Sequence, residues 1–174
     1  MSLQFLKAGT ADAVTLVGIS KHAFDSDVEV GAFELCGPPG YKSLPFYTKM
    51  ARMNCLYKLI DDNGLTVGGA VLFIKDNEMN VGRVFVSSEH FRKGYGIFMM
   101  QQIETMFPDV EIYPLDPPVW NVRTNAFYQK LGYVEVRRDN DFVYYQKKRH
   151  CEERSDVSIQ SYNGLLCCAR NDEG

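Results

Sequence analysis

The sequence predicts an α+β domain, a mixed, mostly antiparallel central sheet flanked by helices. Three observations carry that expectation. Residues 55–87 read as three consecutive strands joined by tight turns, which predicts an antiparallel meander. From residue 97 onward helical and strand patterns alternate, which adds strands of mixed direction. Ahead of both, a short strand feeds one amphipathic helix.

Gln4–Ala8 alternates and is read as the first strand. Thr10 is the expected N-cap of the helix that follows, with Asp12 in the first turn where the helix dipole favours a carboxylate. Ala13, Leu16, Val17, Ser20 and Phe24 then recur at helical spacing. Residues 25–43 are irregular and contain the stretch Gly37 to Tyr41, whose two prolines cannot continue a helix or a central strand. Leu44–Met53 reads as a second helix.

Cys55–Ile60, Leu65–Lys75 and Asn80–Ser87 are the three strands of the meander. Asn63-Gly64 supplies the first turn, because both residues tolerate positive φ. Ile97, Met100, Ile103 and Phe107 mark one face of a third helix that Pro108 closes. Val110–Leu115 is a strand, and Asn121–Leu131 a helix with Gly132 beyond its end. Tyr133–Arg138 and Phe142–Lys147 form the last hairpin, and its exposed strand could pair with a second copy in a homodimer.

The 174 residues suffice for one hydrophobic core. We divide them into a domain at 1–148 and a C-terminal extension at 149–174, which lacks a clear period. The formal net charge of −3 excludes a general nucleic-acid binder. Apolar runs are too short to cross a bilayer, and the chain shows no secretory leader pattern. The five cysteines fit neither a zinc site nor a disulfide framework, so a cytoplasmic protein without metal is expected. The three histidines are scattered and read as neither ligands nor bases.

Chemistry enters at "FRKGYG", residues 91–96. A strand, then Gly94-x-Gly96, then a helix presents free backbone N–H groups to an anion. Glycine lets a phosphate approach without a Cβ in the way, and Arg92 and Lys93 add charge. The spacing is not that of a Walker loop, and the third glycine of a dinucleotide fingerprint is missing. A pyrophosphate cofactor with a long arm lying along the strand fits better.

These residues carry a family resemblance. "VGRVFVSSEHFRKGYGIFMMQQIE" resembles the acetyl-CoA signature of the GNAT superfamily of N-acetyltransferases, and "WNVRTNAFYQKLGY" resembles its Asn-x6-Tyr-x-x-x-Gly-Phe/Tyr segment. The likeness spans roughly residues 4–147 and implies the acyl-CoA N-acyltransferase fold. It implies acetyl-CoA as donor, held by the backbone of residues 92–97 (Arg92, Lys93, Gly94, Tyr95, Gly96 and Ile97). It implies that Phe85 and Val86 offer free strand amides, to the pantetheine arm and to the developing oxyanion. By the same likeness Asn121 contacts the cofactor arm and Tyr128 is the general acid. The family pattern departs at Phe91, where Gln or Arg is usual; Arg92 follows one residue later. The extension resembles peptides translated from short palindromic repeats of bacterial genomes, ending in residues that read as left from cloning; a native C-terminal helix or strand is the alternative.

The implied reaction is direct attack of a primary amine, on a small molecule or a peptide, on acetyl-CoA in a ternary complex. Tyr128 is a phenol of ordinary pKa near 10, suited to protonating a thiolate; otherwise it is a core tyrosine beside Phe127 and Leu131. Glu34, Glu111 and Asp116 are the carboxylates that could act as base, with a water chain or no base as the alternatives. Tyr41, Tyr47, Asp116 and Trp120 are expected around the acceptor. A non-catalytic acyl-CoA sensor of the same fold is the second reading. An unrelated α+β protein, in which the glycines only turn the chain, is the third.

Overall fold

The computed structural model describes residues 2–149, so the C-terminal extension expected from 149 lies almost wholly outside the described residues. Its seven strands are β1 (Gln4–Lys7), β2 (Leu56–Ile60), β3 (Thr66–Lys75), β4 (Glu78–Val86), β5 (Ile112–Leu115), β6 (Val134–Arg138) and β7 (Val143–Lys148). The four helices are α1 (Ala13–Asp25), α2 (Leu44–Arg52), α3 (Tyr95–Met106) and α4 (Val122–Lys130). The sheet order is β1-β2-β3-β4-β5-β7-β6. Every neighbouring pair is antiparallel except β4 and β5, which run parallel. The expected mixed, mostly antiparallel sheet is therefore present, with the meander as β2 to β4.

Local chemistry shifts several boundaries. The first helix opens with a 3-10 turn over Thr10–Asp12 capped at Gly9, not at Thr10. Asp12 explains it, since its carboxylate accepts from Gly9 N–H at 2.8 Å and pairs with Lys58 at 2.7 Å. β4 starts at Glu78, two residues before its predicted start, because a two-residue turn at Asp76 and Asn77 sets Glu78 opposite Lys75. Within the irregular 25–43 stretch, Ser26–Val30 forms another 3-10 turn.

The sheet separates two apolar layers. Leu16, Tyr47, Met50, Leu56 and Phe85 pack with α1 and α2 on one face. Met79, Val81, Met99, Ile103, Tyr113, Tyr128 and Tyr145 pack with α3 and α4 on the other. Strand alternation should keep residues of one parity on one face. In β4 it breaks: Met79 and Val81 share a layer with Val86, while Phe85 faces α1 and α2. The cause is a bulge at Gly82. Val81 pairs with Leu72 and Arg83 with the adjacent Val71, so one residue is extra and the phase flips.

The first helix lies close on the sheet because β3 presents Gly69 beneath it. A Cβ at Gly69 would stand 2.7 Å from the Tyr57 carbonyl oxygen and 2.8 Å from Leu16 Cδ2. Gly69→Ala is expected to destabilise the fold by about 1–3 kcal/mol through overpacking. Urea unfolding reads this as a lowered midpoint; an unchanged midpoint would show that α1 does not rest on that strand.

Candidate functional site

The parallel pair β4 and β5 makes the site. Glu78 opposite Ile112 is its only pair in register. Beyond it the strands diverge, and the β5-facing edge of β4 from the bulge to Val86 has no strand beside it. Two cavities occupy the wedge, of about 880 Å³ and about 920 Å³. They share five lining residues: Phe24, Asp27, Val84, Thr124 and Tyr128.

The first cavity is floored by Val84, Phe85 and Val86 and closed by the loop and first turn of α3. Arg92, Gly94, Tyr95, Gly96 and Ile97 all line it. The first α-helical bond of α3 runs from Phe98 N–H to the Gly94 carbonyl at 2.9 Å. The N–H groups of Tyr95, Gly96 and Ile97 ahead of it have no backbone acceptor among the described residues. The two glycines serve different ends. Gly94 has φ +82° and open space where a Cβ would project, so it shapes the turn and leaves room for a ligand. A Cβ at Gly96 would meet Phe127 Cζ at 3.2 Å, so Gly96 lets α3 pack against α4. Arg92 reaches φ +63°, a conformation rare for a side-chain-bearing residue. Lys93 is exposed and lines neither cavity. Open space at Gly94, donor-only amides and neighbouring cations together suit a pyrophosphate.

The second cavity lies between the Gly37–Pro39 segment and the Asp116–Asn121 segment. The latter is anchored to the last hairpin, with Val119 N–H on the Asp141 carbonyl at 2.9 Å and Val143 N–H on the Pro117 carbonyl at 3.0 Å. Asp116 and Trp120 line this cavity as expected. Tyr41 and Tyr47 line neither. Tyr47 is fully buried and donates to Ser20 Oγ. Tyr41 donates to Asp25 at 2.9 Å and backs the wall at Gly37, where a Cβ would come within 2.7 Å of its ring. They are expected at the pocket because the loop over residues 37–41 and the helix after it could wall it, but packing takes both side chains into the core. Glu34 lines neither cavity, and Glu111 accepts from Asn77 Nδ2 at the far end of the wedge.

Tyr128 stands where the cavities meet. Its ring sits edge-on to Phe127 and Tyr133, with centroids 5.2 and 5.4 Å away. Its hydroxyl makes no hydrogen bond among the described residues. Burial, and then the Asp116 carboxylate, push its pKa up to about 12, so it is a donor at neutral pH. Burial likewise holds Asp116 above the usual carboxylate range.

Two functional positions escaped the sequence reading. Asp27 is 7% exposed and lines both cavities. It accepts from Asn121 Nδ2 at 3.1 Å and pairs with Arg123; burial raises its pKa against both partners. Asn121 is thus occupied at both ends, since its Oδ1 also caps α4 by accepting from Thr124 N–H at 3.0 Å. It lines the second cavity and not the first. Only the polarity of a carboxylate and an arginine in a surface-like pattern marked these positions, and nothing local joined them.

Residues 54–135 match the model of the acetyltransferase (GNAT) domain. No curated protein matches the chain. Among solved structures it is similar to a PaiA N-acetyltransferase from Thermoplasma acidophilum in complex with coenzyme A, at 18% identity and TM-score 0.72, over 86% of this chain and 100% of that one. A ribosomal-protein alanine N-acetyltransferase from Escherichia coli is similar at 14% identity and TM-score 0.62, over 95% and 100%. A spermidine N-acetyltransferase SpeG chimera from Vibrio cholerae and hSSAT is similar at 15% identity and TM-score 0.65, over 85% and 96%.

Proposed function

We propose that this chain, whose residues 54–135 match the acetyltransferase (GNAT) domain and whose fold is that of the N-acetyltransferases above, transfers an acetyl group from acetyl-CoA to a primary amine. The observation that carries this reading is the meeting of two cavities at Tyr128, one walled by free helix amides and the other by Asp116 and Trp120. Acetyl-CoA brings an activated thioester; the protein's own groups do the rest. The first-turn amides of α3, with Arg92, hold its phosphates. The open edge of β4 near Phe85 and Val86 receives the extended arm and offers N–H groups to the oxyanion. The amine enters from the second cavity and attacks the carbonyl directly, forming C–N as C–S breaks.

Protons follow a coupled route in this proposal. Asp116 takes the ammonium proton and frees the nucleophile. Its lost charge then stops raising the Tyr128 pKa, so the phenol becomes a better acid as the thiolate leaves and takes its proton; the adduct's second amine proton passes to solvent as the amide forms, and solvent reprotonates the Tyr128 phenolate. Asn121 acts as a positioning residue, capping the helix that carries Tyr128. The acceptor is a small molecule or a peptide amine. The relatives' acceptors, spermidine in one and a protein alanine in another, differ too much to choose between these.

The tests are isothermal titration with acetyl-CoA and thiol release across a panel of polyamines, amino sugars and peptides. Micromolar binding with amine-dependent thiol release is the expected result. Binding without release for any amine, and without slow hydrolysis, would favour the sensor reading prompted by Phe91. No binding would reduce the glycines to a turn. A cytoplasmic location is part of the proposal, in keeping with the free thiols of Cys36 and Cys55 among the described residues. Pairing through the exposed edge strand β6 is the proposed route to a homodimer.

A further inference from the structure

Arg123 stands one turn ahead of Phe127 on α4, on the face against which Gly96 packs. Its guanidinium lies over the Phe91 ring, 4.9 Å from the centroid. Its Nη2 donates to the buried carboxylate of Asp27 and, at 3.5 Å, to Ser26 Oγ. Nε and Nη1 make no hydrogen bond among the described residues, and the side chain is 37% exposed. Arg123 lines the first cavity together with Gly94 and Gly96. Two sets of groups that can only donate, the guanidinium and the first-turn amides of α3, therefore face one space. A neutral ligand leaves them unmatched, whereas an anion with several acceptor oxygens matches both.

We infer that Arg123 binds the pyrophosphate of CoA directly, fixed in place by Asp27 at one edge and Phe91 at one face. The inference rests on the CoA reading of this cavity. Stacking on an aromatic ring leaves the in-plane N–H groups free, and the ion pair with Asp27 sets which edge points outward. Phe91, the loop position that departs from the family pattern, becomes a platform. A side-chain contact to phosphate comes from α4, 32 residues downstream of Phe91 in the sequence, in addition to Arg92 of the loop.

The test is isothermal titration of the wild-type protein and Arg123→Gln with CoA and with 3′-dephospho-CoA. Loss of a charge-assisted contact is expected to weaken both ligands about ten-fold or more, and equally. Because Arg123→Gln leaves Asp27 buried without its ion-pair partner, the double variant Asp27→Asn with Arg123→Gln is titrated alongside. It keeps no lone buried charge and should show the same loss. Wild-type affinity in the folded single or double variant overturns the assignment and leaves the CoA reading intact. A loss confined to CoA moves Arg123 to the 3′-phosphate and overturns the pyrophosphate contact. Absence of binding by the wild-type protein overturns the CoA reading and this inference with it.

Discussion

Tyr128→Phe is expected to lower kcat by about 10²–10⁴-fold, the range over which a positioned acid acts, while acetyl-CoA affinity stays near wild type. The substitution is clean. The ring keeps its edge contacts with Phe127 and Tyr133. The hydroxyl gives up no hydrogen bond among the described residues, so its removal orphans no protein group. Stability at neutral pH should change little, and a loss of turnover cannot then be blamed on unfolding. Single-turnover kinetics reads the chemical step even where product release limits steady state. Unchanged turnover at saturating substrates would take Tyr128 out of the acid's role. Asp116→Asn supplies the partner experiment. It removes the carboxylate that raises the phenol's pKa, so the Tyr128 titration should move down even as the proposed base is lost.

Much of the fold was legible because its signals are local. The Asn63-Gly64 turn, the meander, the helix that stops before Pro108 and Asn121 at the start of α4 each follow from a few adjacent residues. The bulge was not legible. A single glycine inside β4 looks like any weak strand position, yet Gly82 reverses the phase of the strand and sends Phe85 to the opposite layer from Met79 and Val81. The site divides in the same way. The glycine loop lies in one stretch and could be read as a phosphate-facing turn, although packing on Phe127 explains Gly96. The Asp27–Arg123 pair joins residues 96 positions apart, and its partners become neighbours only through the sheet. Tyr41 and Tyr47 failed as pocket residues for a related reason. An aromatic on a proline-stiffened loop or on the helix after it satisfies a core or a wall equally well, and only tertiary packing chooses.

Burial of Tyr128 has a second consequence, at high pH. The unfolded chain releases a tyrosine proton near pH 10, whereas folded Tyr128 holds its proton to about pH 12. Between these values the unfolded state binds fewer protons than the folded one, so stability falls as pH rises. Below pH 10 both states are protonated and the full stability is present. The slope reaches about 1.4 kcal/mol per pH unit for one group and flattens at both ends, so Tyr128 alone removes about 2 kcal/mol by pH 12. That is a large part of a typical domain's stability. Tyr133 adds to the effect, since burial, and then the neighbouring Tyr128, raise its pKa as well; the two phenols titrate as a coupled pair. Guanidinium unfolding at pH 8, 10, 11 and 12 should therefore show wild-type stability dropping steeply above pH 10. Tyr128→Phe has no proton to lose at that position and should drop less, by about 2 kcal/mol at pH 12 relative to pH 8. Curves that run parallel for the two proteins would mean that Tyr128 is open to water. A phenol open to water would lack the burial that, in the proposed mechanism, keeps it protonated until Asp116 is neutralised.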